Sequence, residues 1–475
     1  MNKRKFQPYI LENISITNAG SEGKAIARYE GLVIFVDYAL PGDLVDLFVY
    51  GKKKNHAFAR IEKLITPSAE RMEPFCSHFG TCGGCKWQHM GYPTQLKYKQ
   101  QQVQDAFERI GKFPFPAIET IIGSAFSTHY RNKLEFTFTD KKWLDSLDKK
   151  DELNEAEHKG LGFHIPGRFD KILDIETCYL MDDLQNKIRM AIKDFTVKNN
   201  YTFFNQHSQE GLMRNFIIRN TSLGEWMLIV IFKENDEEKI NPLMNFLKEG
   251  FPQITSLLYI INPKRNDTVF DLDVNVFSGK DHINEKLEDL VFKIQPKSFF
   301  QTNTQQTEVL YETARGFAGL TGNETVYDLY TGVGSIANFV AKKCKVVIGI
   351  ETVEQAIEDA KENSRINQIG NTYFYTGDMK DILNEELIHK HGKPDVIITD
   401  PPRAGMHEDV VKKLLELKAP RIVYVSCNAA TQARDIAWLN ELYEVKKVQP
   451  VDMFPHTHHV ENVALLELKP LAISF

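Results

Sequence analysis

From about residue 6 to 66 the chain alternates apolar and polar positions in short runs: YILENISITNAG, KAIARYEGLVIFVDYAL, DLVDLFVYGKKK and HAFARIEKLI, with turns expected at Gly20, Gly31 and Pro41-Gly42. A period of two between such turns predicts strands, and this set predicts a small five-stranded barrel of a kind that binds oligonucleotides. Lys52, Lys53 and Lys54 fall between two of the strands beside aromatic residues. They read as nucleic-acid contacts or, equally well, as a solvated basic turn. The cysteine-rich stretch PFCSHFGTCGGCKWQH follows, and then a helix is expected around Leu96–Gly111. Between Tyr130 and about Phe277 the pattern is one of hairpins plus two helices, with YRNKLEFTFT and GLGFHIPGRFDKILDIETC as strands. The intervening DKKWLDSLDKKDELNEAEHK is charged and has no apolar period, which predicts an exposed or disordered excursion.

From about Ile294 strand and helix alternate. VYDLY, VVIGIE, TYFYTGD, DVIITD and RIVYVSC are short apolar runs, and helical segments are expected at Ser335–Lys342, Val353–Asn367, His407–Lys418 and Thr431–Glu441. This alternation predicts a doubly wound, mainly parallel sheet, on which ligands bind at the carboxyl ends of the strands. The fold class expected is a multidomain α/β protein: a barrel over residues 1–68, an α+β central domain over 69–293 and a Rossmann-like domain over 294–475.

A length of 475 residues agrees with several cores, and 42% hydrophobic with 26% charged residues is a globular composition. The 58 Lys and Arg against 64 Asp and Glu make a net charge of −6, which argues against a uniformly basic binder but does not locate the charges. MNKRKFQPYILEN has no apolar core of a secretory signal, and no run of eighteen apolar residues occurs. A reducing cytoplasm is therefore expected, where six cysteines are metal ligands or catalysts sooner than disulfides.

The chemistry concentrates at expected strand ends. Asp328-Leu-Tyr-Thr-Gly332-Val-Gly334-Ser-Ile-Ala337 joins the first strand to a helix, and Glu351 ends the next strand. Glycines allow close approach of a ligand and the acid suits a ribose diol, so the loop fits a dinucleotide nearly as well as S-adenosylmethionine (SAM). Asp400-Pro401-Pro402-Arg403 and Ser426-Cys427-Asn428 end two further strands. Cys427, at a strand tip before a helix, is a candidate nucleophile whose pKa nearby N–H dipoles are expected to lower. Cys344, in AKKCKVV, reads as an inert bystander. Asp452-Met-Phe-Pro-His456-Thr-His458-His459-Val-Glu461 reads as a metal-binding run or, better, as a loop bringing Glu461 over Cys427. Cys76, Cys82 and Cys85, with Cys178 beyond the excursion, could hold zinc or a [4Fe–4S] cluster, and spacing does not decide between them.

Taken in order, FFQTN (299–303), DLYTGVGS, GIE, TDPPR, YVSCN and PHTHHVE resemble the RNA uracil-5-methyltransferases, and the N-terminal barrel resembles a TRAM domain. The cysteine segment resembles that of the 23S ribosomal RNA branch. The resemblance implies SAM-dependent methylation of uracil C5 in 23S rRNA, with Cys427 adding to C6, Glu461 removing the C5 proton and Asp400 orienting the base. It implies a SAM pocket of Gln301, Tyr330, Ser335, Glu351, Asp378 and Asp400, and favours [4Fe–4S] over zinc on Cys76, Cys82, Cys85 and Cys178. The target uridine must be looped or flipped out to reach a pocket thiol. Candidate RNA contacts are Lys52, Lys53, Lys54, Tyr130, Arg131, Lys133, Arg168 and Phe169, in a protein expected to be monomeric and not membrane-bound. The alternatives are the tRNA branch of the family, an NAD-linked Rossmann oxidoreductase and a catalytically silent RNA-binding scaffold.

Overall fold

The structure, a computed structural model, describes residues 6–144 and 154–470. Strands β1 (Tyr9–Ala19), β2 (Ala25–Tyr29), β3 (Leu32–Asp37), β4 (Leu44–Lys52) and β5 (His56–Thr66) close into a barrel in the order β1-β2-β3-β5-β4. The period of two turns Ile14, Ile16, Ile34, Val36, Val45, Leu47 and Val49 into its core, and closure leaves no free edge. Gly31 and Gly42 adopt left-handed φ values of 79° and 95° at their turns, whereas the turn expected at Gly20 is completed by Gly23 at 75°.

Helix α1 (Tyr92–Ala106) continues into a π-helical turn over Phe107–Gly111. It packs on the C-terminal sheet, where Val103, Phe107, Phe113 and Ile121 share a core with Tyr327, Ile348, Ile397 and Tyr424. A segment in the middle of the sequence thus belongs physically with the last layer of the fold.

The central sheet is built from β6 (Lys133–Thr139), β7 (Gly160–Ile165), β8 (Arg168–Asp174), β9 (Met213–Asn220), β10 (Trp226–Phe232), β11 (Ile254–Ile261) and β12 (Val274–Gly279). Between β6 and β7, part of the charged excursion lies outside the described residues. Its described end is the one-turn helix α2 (Glu155–His158), capped by Asn154. The strand order is β12-β11-β10-β9-β6-β7-β8, with α3 (Leu184–Lys198) and α4 (Glu237–Gly250) covering one face. On the other face Ile229, Ile231, Leu258 and Ile260 join one core with Leu310, Phe339 and Val425 of the C-terminal domain. That continuous core fixes the two layers against each other.

The hairpin of β13 (Ile283–Leu287) and β14 (Leu290–Ile294) and helix α5 (Thr304–Ala318) lead into the C-terminal sheet. Its elements are β15 (Thr325–Leu329), α6 (Ser335–Ala341), β16 (Val346–Glu351), α7 (Glu354–Ile366), β17 (Thr372–Thr376), α8 (Met379–Ile382), α9 (Glu385–His391), β18 (Val396–Thr399), α10 (Glu408–Leu417), β19 (Arg421–Ser426), α11 (Ala429–Leu439), β20 (Tyr443–Val451) and β21 (Glu461–Leu468). The order β17-β16-β15-β18-β19-β21-β20 is parallel through β19 and antiparallel at β21 and β20. The chain runs outward from β15 to β17 and then returns to β18 on the other side. The crevice at the carboxyl ends of β15 and β18 is therefore the topological switch point where such sheets bind ligands.

Candidate active site

A cavity of about 1570 Å³ opens at this switch point. It exceeds the usual small-molecule pocket and has room for a cofactor and a nucleotide together. The Gly-rich loop forms one wall. Tyr330 has a φ of 63°, and Gly332 and Gly334 follow at 55° and 73°. A non-glycine residue held there marks the strained backbone that clusters at functional sites. At Gly334 a Cβ would stand 2.9 Å from the Ala360 Cβ, so the tight turn requires glycine. The Glu351 carboxylate faces the cavity and accepts the Gly332 N–H at 3.2 Å and the Thr352 N–H at 2.8 Å. Ser335 Oγ shares a 2.8 Å hydrogen bond with the Tyr311 hydroxyl, and Gln301 and Tyr330 also line the wall. Asp378 is placed outside the lining. It caps α8 by accepting the Lys380 N–H, and its charge reaches Tyr330, whose hydroxyl is pushed up to about 12 by burial and by Asp378.

Asp400, Cys427 and Glu461 line the cavity next to the Gly-rich loop, and the Asp400 N–H donates to the Leu329 carbonyl at 3.4 Å. Asp400 follows β18, and Cys427 sits between β19 and α11, which Asn428 caps by accepting the Ala430 N–H at 3.1 Å. Antiparallel pairing of β19 with β21 sets Ser426 against Asn462, so one step on Glu461 stands opposite Cys427. The carrier of Glu461 is thus the first residue of a strand, not the tip of a crossing loop. Burial raises Glu461 to about 8, with the Asp400 charge adding to the shift, and raises Asp400 to about 7. The Cys427 thiol is pushed up to about 11 by burial, Glu461 and Asp400, although Arg403 lowers it. This corrects the expectation of a depressed thiol pKa: burial, with the two acids adding to it, outweighs the N–H dipoles, and the thiol must give up its proton as it attacks.

The same acids discriminate between cofactors. Glu351, Asp400 and Glu461 line the cavity, and Asp328, buried within β15, is raised to about 7 by burial. The Glu351 carboxylate and the ionised fraction of the others repel the pyrophosphate of a dinucleotide and attract a sulfonium cation.

The pKa shifts have a stability consequence. The ordinary values of Asp400 and Glu461 are 3.8 and 4.5, and the folded values are about 7 and about 8. The folded chain retains protons that the unfolded chain has released, so this contribution to stability is full below the unfolded values and disappears as pH rises through the folded ones. Above about pH 6.5 the buried histidines, with unfolded pKa near that value, no longer oppose the trend. Between about pH 6.5 and 8.5 the Tm of the Asp400→Asn/Glu461→Gln double variant is expected to rise relative to the parent. A constant Tm difference in differential scanning calorimetry would refute the shifts.

The turn before Glu461 is held from outside the sheet. Lys99 of α1 and Asp452 form an ion pair at 2.6 Å with both side chains 0% exposed. Lys99 also donates to the Phe454 carbonyl at 2.9 Å, and Tyr92 donates to Asp452 at 2.9 Å. The His456 carbonyl accepts the N–H groups of Lys86 and Trp87 at 2.8 and 3.0 Å. Burial pushes His456, His458 and His459 down to about 4, about 4 and about 3, and His456 Nε2 and His458 Nδ1 are buried without a hydrogen-bond partner among the described residues.

Cys76, Cys82, Cys85 and Cys178 all reach the cavity wall and are free thiols. Burial raises Cys82 to about 11 and Cys85 to about 12, and the charges of neighbouring cysteines push each further up. Among the described residues, no three His, Cys, Asp or Glu side chains stand as a group that holds a metal. Cys344 is buried in the core with its S–H directed at the Val340 carbonyl.

Of the RNA candidates, Arg131 and Lys133 line the cavity and Tyr130 is buried, donating to the Pro455 carbonyl at 3.0 Å. Lys52, Lys53 and Lys54 sit at the barrel's β4–β5 turn, away from the lining. Arg168 pairs with Asp170 at 3.4 Å, and Phe169 is 68% exposed beside His207, both outside the cavity. Sequence reasoning missed Tyr311 and Arg219 of the lining and gave Arg403, quoted in the Asp-Pro-Pro-Arg strand end, no role. Tyr311 was within reach, since Thr307, Leu310, Tyr311, Ala314 and Ala318 repeat with helical period behind the Asn303 cap.

The sheet, the Gly-rich loop and the acid-lined crevice define a SAM-dependent methyltransferase core. The chain belongs to the tRNA (uracil-5-)-methyltransferase family, which it matches over residues 91–469. It is 57% identical to an uncharacterized RNA methyltransferase of Bacteroides thetaiotaomicron, over 94% of this chain and 100% of the relative. A second such protein, from Chlorobaculum tepidum, is 38% identical over 96% of this chain and 95% of its own. Among solved structures, the Pyrococcus abyssi tRNA (uracil-54, C5)-methyltransferase in complex with S-adenosyl-L-homocysteine superposes with a TM-score of 0.72 and 27% identity, covering 95% of this chain and 100% of that one. The family membership sets aside the oxidoreductase. No helix among the described residues is long and apolar enough to cross a membrane.

Proposed function

We propose that this protein forms 5-methyluridine in 23S rRNA through a covalent Cys427 adduct. The observation that carries the reading is the register that sets Glu461 opposite Cys427, with Asp400 on the neighbouring strand end. Uracil C5 is a weak nucleophile until C6 bears an electron-donating substituent. Cys427 passes its thiol proton to the Asp400 carboxylate as Sγ adds to C6, and the electron pair displaced to C5 takes the methyl group of SAM, leaving S-adenosylhomocysteine. Glu461 then accepts the C5 proton, and the returning electron pair expels Cys427 as thiolate. Asp400, raised towards neutrality, donates or accepts at the uracil edge and orients the ring. Gln301, Tyr330, Ser335, Glu351 and Asp400 bind SAM, with Asp378 acting on Tyr330 from outside the lining. In this reading residues 1–68 are a TRAM-like RNA-binding barrel, 69–293 the central domain with RNA contacts at Arg131 and Lys133, and 294–475 the catalytic domain. Lys52–Lys54, Arg168 and Phe169 serve more distant stretches of RNA.

Cys76, Cys82, Cys85 and Cys178 are proposed to hold a [4Fe–4S] cluster, with zinc as the alternative. Four free thiols that all line the cavity support the reading, and to hold such a group they would have to draw together and ionise. Such a group would tie the 76–85 segment to the central domain, and the methyl transfer proposed needs no redox step. Anaerobically purified protein is expected to be brown and to contain iron and sulfide. A colourless zinc protein would refute the cluster.

A tRNA substrate is the second reading, supported by the likeness to the Pyrococcus abyssi enzyme along 95% of this chain. That coverage means the N-terminal barrel does not by itself separate the two substrates. Incubation with tritiated SAM and transcripts of either RNA tests the choice. Label in 23S rRNA supports the first reading, and label confined to tRNA overturns it.

A further inference from the structure

The cavity continues from the Gly332 loop to the face of the central sheet, where β6 and β9 present Lys133 and Arg219. These residues are directly opposite each other in the antiparallel register, so their side chains share one face. Like charges in that position repel and weaken a sheet. Both residues line the cavity, and Arg219 is only 5% exposed. One Arg219 nitrogen donates to the Ser298 carbonyl at 2.7 Å, but its Nε is buried without a partner. Among the described residues, Lys133 Nζ has no ion pair. Burial, then Arg219, lowers Lys133 to about 8, and Arg131, which also lines the cavity, adds to the effect. Two acids share the neighbourhood. Glu135, two residues along β6, is an exposed residue whose carboxylate favours the Lys133 charge, and Asp281 is paired with His282. A half-buried Lys133 beside a buried Arg219 that keeps an unsatisfied N–H makes a site complementary to an anion with several acceptor oxygens.

We propose that Lys133 and Arg219 form a phosphodiester subsite on the cavity floor that grips the RNA backbone beside the target base. The subsite rests on the RNA-methylation reading. It places the strand by charge, without reading sequence, while the base enters the pocket of Cys427. It also explains why a like-charged cross-strand pair is built into a buried sheet face.

The test is RNA affinity as a function of salt, with a single-stranded uridine-containing oligonucleotide followed by fluorescence anisotropy. Loss of one phosphate contact should reduce the slope of log K against log salt by about 0.7 for a single strand. Lys133→Met is expected to show that smaller slope and about tenfold weaker binding near 0.1 M salt, with SAM affinity unchanged by equilibrium dialysis. Lys133→Arg should restore the slope. Arg219→Gln should act in the same direction, and a calorimetric Tm for each variant confirms that it is folded. A folded Lys133→Met with the parental slope overturns the subsite. Weakened SAM binding with an unchanged RNA slope also overturns it, because the anion is then the cofactor's carboxylate. A parent protein that binds RNA with the full slope but methylates none refutes the activity and leaves the subsite standing.

Discussion

Cys427→Ala is expected to abolish methyl transfer, with a loss of about 10⁴-fold or more in single-turnover rate, the scale on which removal of a covalent nucleophile acts. SAM affinity should change little. The Gly332 loop, Ser335 and Glu351 come from the β15–α6 and β16 strand ends, whereas Cys427 is carried by the separate β19–α11 turn. Loss without impaired cofactor binding would place the defect in the attack on the base. The raised thiol pKa sharpens the expectation, since alanine removes a group that must be deprotonated in place by its neighbours. A variant that retains a tenth of the parental rate would show that no covalent adduct is needed.

Lys99→Met is the second large effect, and it acts 353 residues away in sequence from the partner it strands. Asp452 would keep its charge in a site where both side chains are 0% exposed. Breaking one side of a buried ion pair costs about 3–5 kcal/mol, and the carbonyl of Phe454 also loses its donor. Denaturant unfolding should report that loss. The turn that leads to Glu461 should loosen with it, so kcat falls more than KM rises. Replacing both partners by apolar residues, as in Lys99→Met/Asp452→Leu, should recover part of the stability, because no uncompensated charge then remains. A single variant within about 1 kcal/mol of the parent would mean that Asp452 is protonated or solvated in the folded state.

The barrel was legible because every strand alternates between a buried and an exposed side, and Ile34, Val36, Val45 and Leu47 declare the inner face. The parallel strands were legible for the opposite reason: β18 and β19 are buried on both faces and read as unbroken apolar runs. The strand-end motifs then followed from topology. The sequence did not reveal β21 as the carrier of Glu461, because PHTHHVE looks polar and the pairing with β19 is a long-range fact. Nor did it reveal that α1 packs on the C-terminal sheet, since its helical period carries no address. The Cys427 environment was misjudged because dipoles at a helix start can be read locally, whereas Asp400 and Glu461 arrive from other strands. Lys133 was singled out from sequence, but its partner Arg219 was not, because cross-strand register decides which charges meet.

The most direct measurement is to incubate Glu461→Gln with SAM and the RNA substrate and resolve the mixture on a denaturing gel. With the C5 proton left in place, elimination is blocked, and a covalent RNA–protein band should accumulate with the methyl group transferred. The band should vanish in Cys427→Ala/Glu461→Gln. No band with Glu461→Gln, or a band that persists without Cys427, would contradict the proposed roles of both residues.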